Sequence, residues 1–126
     1  QNKFDFYDED GSMFEAFNKL MDFLEEEELP PSRDDEIARG VRTYRKIGPA
    51  VIIDSMLTVF NSRGQYEMDR ALHDVIKSNV MPALEGLERN ELKCLMLKSQ
   101  EVFGANHGIT TTLEKMVESP GLSVFG

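Results

Sequence analysis

The chain carries a single cysteine, Cys94, in 126 residues, and no Asn-x-Ser/Thr acceptor site. No internal disulfide can form, and this usage is that of a reducing compartment, so the expected localisation is intracellular, cytoplasmic or nuclear. No apolar run approaches the ~18 residues of a membrane-spanning helix, so no membrane partner is expected. The amino-terminal residues do not read as a secretory leader. Two histidines and one cysteine at distant positions make a poor zinc set. The only clustered glycines, Gly104 and Gly108, lack the spacing and the lysine of a phosphate loop. No metal or cofactor is therefore expected, and no convincing strand is evident.

What remains is 40% apolar and 29% charged, the composition of one globular domain. A domain of this length buries roughly two-thirds of its unfolded surface. The net charge of −9 is uneven. Residues 1–36 hold 13 acids against Lys3, Lys19 and Arg33, whereas the remainder is nearly neutral. Such asymmetry points to a partner surface or to pairing within the chain.

Residues 4–17, FDFYDEDGSMFEAF, contain an Asp-x-Asp-Gly core like that of a calcium loop. With Gly11 as the sixth loop residue, however, the first and twelfth ligand positions fall on Phe6 and Phe17, which cannot coordinate calcium. The same stretch reads better as a helix start, with Ser12 and Glu15 as a capping box. Met13, Phe14, Phe17, Leu20, Met21 and Leu24 then recur at helical spacing toward an end near Glu28, before Pro30 and Pro31.

The pattern continues with a second helix capped by Ser32, with Ile37, Val41 and Tyr44 inward, closing at Gly48 and Pro49. A third, from Pro49 to Phe60, is apolar almost all round and is expected to be central. A fourth runs from about Gln65 to Ser78, and Pro82 starts a short helix or kink. A sixth runs from an Asn90 cap to Phe103, where Gly104 stops it. A last one, near residues 111–118, is expected to start on a Thr111/Glu114 capping box. The expected fold is all-α: a compact bundle of six or seven short-to-medium helices over residues 12–119. An acidic, aromatic arm over residues 1–11 precedes it, and an apolar tail over 120–126 follows.

Catalytic chemistry is hard to assemble from these residues. His73 and Asp69 can share a helix face, but no nucleophile accompanies them. Cys94 and His107 lie on different elements with no third member. The seven methionines sit at core spacing. An enzyme is not expected.

Contact surfaces are the better candidates. The sixth helix has Leu92, Leu95, Met96, Ser99, Val102 and Phe103 on one side and Cys94 with Leu97 on the other. Its second side is covered either by the core or by another chain. Glu25, Glu26, Glu27 and Glu28 form an acidic run at a helix carboxyl end, where the dipole disfavours them. The arm offers Phe4, Phe6 and Tyr7. These residues are the expected contact set of a non-enzymatic interaction module with a regulatory, adaptor or assembly role. Its partner is another protein, a second copy in a homodimer included. The alternative is phosphate binding, and so nucleic-acid association, through Arg39, Arg42, Arg45 and Lys46 as a stripe on the second helix. The net charge and the lack of interleaved aromatics beyond Tyr44 argue against it.

Overall fold

A computed structural model describes residues 11–27, 37–62 and 67–118. Five α-helices and two 3-10 turns make up its regular structure, and no strand occurs among the described residues. The helices are α1 (Ser12–Phe23), α2 (Pro49–Asn61), α3 (Met68–Asn79), α4 (Arg89–Phe103) and α5 (Gly108–Glu118). The turns are Val41–Thr43 and Met81–Leu84. The all-α class is as expected, with five α-helices among the described residues where six or seven are expected of the chain. The arm with Phe4, Phe6 and Tyr7, together with Glu28, the double proline and the apolar tail, lies outside the described residues.

α1 buries Met13, Ala16, Leu20 and Phe23, the three- and four-residue spacing that puts one stripe against the core. Phe14 and Phe17 face outward, at 65% and 40% exposure. The helix enters through Gly11, whose φ of 78° is left-handed backbone that glycine adopts without penalty. Gly11 is thus the N-cap residue in place of Ser12, and its carbonyl accepts the Glu15 N–H at 2.9 Å. The Glu15 carboxylate lies beside Lys19 at 3.6 Å.

α1 also stops earlier than expected, at Phe23, and the cause is tertiary. The Leu24 carbonyl accepts the Arg42 backbone N–H at 3.2 Å and Arg42 Nε at 2.8 Å. The segment that reaches it, residues 37–48, is the expected second helix, and it is not one. It is an extended strap interrupted only by the Val41–Thr43 turn. Gly40 sits inside it, and glycine weakens a helix interior by roughly 1 kcal/mol. A β-carbon at Gly40 would overlap the Glu25 backbone, so the strap passes α1 at a distance only glycine permits.

α2 begins with Pro49 in its first turn, where the missing N–H costs nothing. It buries Ser55, Met56, Val59 and Phe60, yet Ile53 remains 58% exposed. The nearly all-round apolar pattern therefore does not make α2 central: it lies against α1 and α3 and leaves one apolar side outward. Asn79 Nδ2 donates to Ser55 Oγ at 3.1 Å and ties the end of α3 to the middle of α2. α3 turns Ala71, Leu72, Val75 and Ile76 inward, as its periodicity predicts.

α4 is capped two residues ahead of the expected Asn90. Glu88 is its N-cap, and Glu91 Oε1 accepts the Glu88 N–H at 2.9 Å in a capping box. Gly104, at φ 103°, ends it. α4 and α5 pack most extensively on one another, and buried Ser99 and Thr110 hydroxyls meet between them at 2.6 Å. α5 buries Ile109, Leu113 and Met116. It begins at Gly108, ahead of the expected Thr111 start, and the Thr111 and Thr112 hydroxyls bond back to the Gly108 carbonyl.

Candidate functional site

Two polar constellations are built into the bundle. The first lies where the strap crosses α4. Arg39 is only 2% exposed. Its backbone N–H donates to the Cys94 carbonyl at 3.1 Å, and its Nη1 faces Tyr44 Oη and Cys94 Sγ, each at 3.4 Å. Among the described residues no carboxylate pairs with this guanidinium. The hydrogen bond that Arg39 donates to Tyr44 raises the Arg39 pKa and outweighs burial, which lowers it. Burial pushes the Tyr44 phenol up against the lowering effect of Arg39, so it stays a neutral hydroxyl at ordinary pH. A permanently charged group is thus enclosed by neutral or weakly polar partners.

Two of the strap's other cations, Arg42 and Arg45, are turned to backbone carbonyls. Arg45 Nε donates to Ala83 O at 2.9 Å and Nη2 to Glu85 O at 3.3 Å, spanning the turn before α4. Arg42 caps α1 as described. Lys46 alone of the four is exposed. Arg39, Arg42, Arg45 and Lys46 therefore do not form a stripe on a helix. The structural reason is that each guanidinium satisfies polar groups of a different element: α4 with Tyr44, the end of α1, and the turn after α3.

Of the acidic run, Glu25 and Glu27 converge on Lys98 Nζ at 3.0 and 2.9 Å, and Glu26 is exposed. Burial lowers the Lys98 pKa, but the hydrogen bonds and charges of Glu27 and Glu25 outweigh it, so the net shift is upward. The uneven charge of the sequence is thus resolved in part by pairing within the chain. The second side of α4 is covered the same way: Cys94 is buried beneath the strap and Leu97 is half-buried.

The second constellation joins α1, α3, α4 and α5. His107 Nε2 lies 3.1 Å from Asp69 Oδ2, and His107 Nδ1 accepts the Ile109 backbone N–H at 3.2 Å. A backbone N–H can only donate, so Nδ1 is bare and the neutral ring carries its proton on Nε2. The ring stacks on Phe103 with centroids 4.8 Å apart and meets the His73 ring edge-on at 5.6 Å. Lys19 approaches Asp69 at 3.8 Å from α1. Burial lowers the His107 pKa, helped by the nearby His73 charge and opposed by Asp69. Asp69 thus orients His107, not His73 as their spacing suggests, while His73 Nδ1 lies 3.6 Å from Asp74.

Neither constellation assembles a nucleophile with a base. Cys94 is engaged by Arg39, and His107 by a carboxylate and a helix terminus. Among the described residues no group of three or more metal-ligating side chains forms, and no helix is long and apolar enough to cross a membrane. No protein-family model matches the chain, and neither do any curated protein or solved structure.

Proposed function

We propose that the protein works by contact, as a non-enzymatic helical module that binds another protein in a regulatory, adaptor or assembly role. The observation that carries this reading is the outward side of α2. Ile53 is 58% exposed, exposed Ala50 lies one turn before it, and half-buried Leu57 lies one turn after. Residues spaced in this way form one apolar stripe along a helix, the form in which helices anchor in a partner's groove. Phe17 on α1, the half-buried Leu97 of α4, exposed Glu26 and the arm residues Phe4, Phe6 and Tyr7 are further contact candidates. Cys94 is not, because the strap covers it. Phosphate binding through the strap is not proposed, since three of its four cations already hold the fold together.

The test is affinity capture with the full chain and Ile53→Glu, with and without nuclease, beside light scattering of each protein alone. An exposed substitution of this kind changes stability by about 0.5 kcal/mol or less, so Ile53→Glu keeps the fold. A protein held after nuclease and lost in Ile53→Glu supports the reading; dimeric scattering lost in the variant identifies that protein as a second copy. Capture that depends on nuclease-sensitive material, or that Ile53→Glu leaves unchanged, overturns it.

A further inference from the structure

His107 is joined to two helices, α3 and α4, and to the start of α5, and its contacts with Asp69 and the Ile109 N–H depend on its protonation state. Its Nε2–H faces the Asp69 carboxylate of α3, its Nδ1 takes the Ile109 N–H in the first turn of α5, and its ring face rests on Phe103 of α4. At the opening of α5 the Thr111 N–H also donates to the His107 carbonyl at 3.0 Å. The Thr110 hydroxyl reaches the Gly104 carbonyl at 2.8 Å, which ties the loop before the helix but satisfies no amide.

We infer that His107 is a pH-responsive latch on the amino-terminal turn of α5, closed when the imidazole is neutral and released when a proton enters at Nδ1. Protonation converts the acceptor of the Ile109 amide into a second donor. Two N–H groups then face one another, and the cap is lost. The new charge also stands at the positive end of the α5 dipole.

The surrounding charges bear on the latch from each side. α3 presents Asp69, which favours the imidazolium, and His73, which disfavours it and is itself backed by Asp74. Lys19 of α1 partly neutralises Asp69. α4 presents only the uncharged Phe103 ring. The lowered His107 pKa, caused first by burial, agrees with a latch that is closed at neutral pH. Its release belongs to the mildly acidic range below the ordinary imidazole value of 6.5. Space at the latch is already taken: a β-carbon on Gly108 would stand 2.7 Å from His73 Nε2, so helix and histidine pair meet without slack.

The measurement is nitrogen NMR of the imidazoles in the full chain from pH 8 to 5, with native-state exchange of the Ile109 amide over the same range. The expected result is an Nε2–H tautomer at pH 8 and a His107 midpoint below that of a free imidazole. Opening at Ile109, corrected for intrinsic exchange, should then grow by a factor approaching about tenfold per pH unit between the folded and open-state pKa values. His107→Asn keeps a capping side chain without a titrating proton, so its Ile109 opening should be flat over this window. His73→Asn should retain the pH response. A His107 midpoint at or above the ordinary value overturns the inference, as does an Nδ1–H tautomer. So does Ile109 protection that ignores the titration. The tautomer and midpoint are read on the unsubstituted chain, so the inference remains decidable if a variant fails to fold.

Discussion

Arg39 shows how much one residue's role depends on where its backbone runs. In the sequence it is one of four cations at a spacing that would line a helix face. In the structure it is a buried strut whose long stem and guanidinium fill the space between strap and α4. Taking a charge out of water is costly, and among the described residues no carboxylate answers it, so the favourable part of Arg39 is packing and hydrogen bonding. Arg39→Met, which keeps the stem's volume and drops the charge, should leave stability within about 1 kcal/mol of the parent or raise it. Arg39→Ala should lose about 2–4 kcal/mol through the cavity it opens. Urea unfolding of the two variants side by side separates these outcomes; equal losses would show that the charge, and not the volume, matters. Nothing in local sequence marks Arg39 apart from Arg42, because the distinction is made by Cys94, 55 residues away.

Among the elements, the strap is where expectation and structure part. Its apolar residues Ile37, Val41 and Tyr44 have helical spacing, and so do its cations. That regularity yields to contacts outside the segment. The Arg42 amide and guanidinium cap α1, the Glu27 N–H donates to Thr43 Oγ1 at 3.0 Å, and Gly40 lets the two backbones meet. The strap's glycines should therefore respond oppositely to substitution. Gly40→Ala forces the strap off the end of α1 and should cost about 1–3 kcal/mol, as overpacking does. Gly48 has open space around its β position and precedes α2 as its N-cap with ordinary backbone angles. Gly48→Ser should gain a few tenths of a kcal/mol to about 1 kcal/mol from a cap and a less flexible unfolded chain. Thermal melts of both decide it, and a neutral Gly40→Ala would mean that the strap does not touch α1. The helices on either side were more legible. α3 turned Ala71, Leu72, Val75 and Ile76 inward, at the three- and four-residue spacing of one helix face. α2 kept its expected start at Pro49 but, lying to one side of the bundle, left Ile53 outside.

For the whole molecule the predicted behaviour is a pH dependence set by the His107 cluster. Because the folded-state pKa of His107 is lowered, the unfolded chain binds a proton more readily in the mildly acidic range. The contribution is fully present above the unfolded value of 6.5 and is lost as pH falls through the folded value. The melting temperature should therefore drop between pH 7.5 and 5.5, and the drop should be smaller in His107→Asn. Identical drops in the two proteins would assign the effect to other groups. The cluster itself could not be assembled from the sequence. Asp69 and His73 sit one helical turn apart and suggest a pair, but the carboxylate turns to a histidine 38 residues on.

By itself, the sequence determined the all-helical class, four of the five helices to within a few residues at most boundaries, and most of their inward faces. Those properties follow from periodicity and from local stop signals such as Pro49 and Gly104, which act within one or two turns. Tertiary structure alone decided that residues 37–48 are a strap, that three arginines hold elements together, that the strap covers Cys94 of α4, and that His107 caps α5. Each of these but the cap rests on hydrogen bonds or burial between residues far apart in the chain. The cap is local, but its protonation is governed first by burial within the bundle and then by Asp69 and His73 of α3, which oppose one another. Such contacts leave no periodic trace in composition, because they are chosen only when the helices have packed and their unpaired backbone groups must find donors and acceptors.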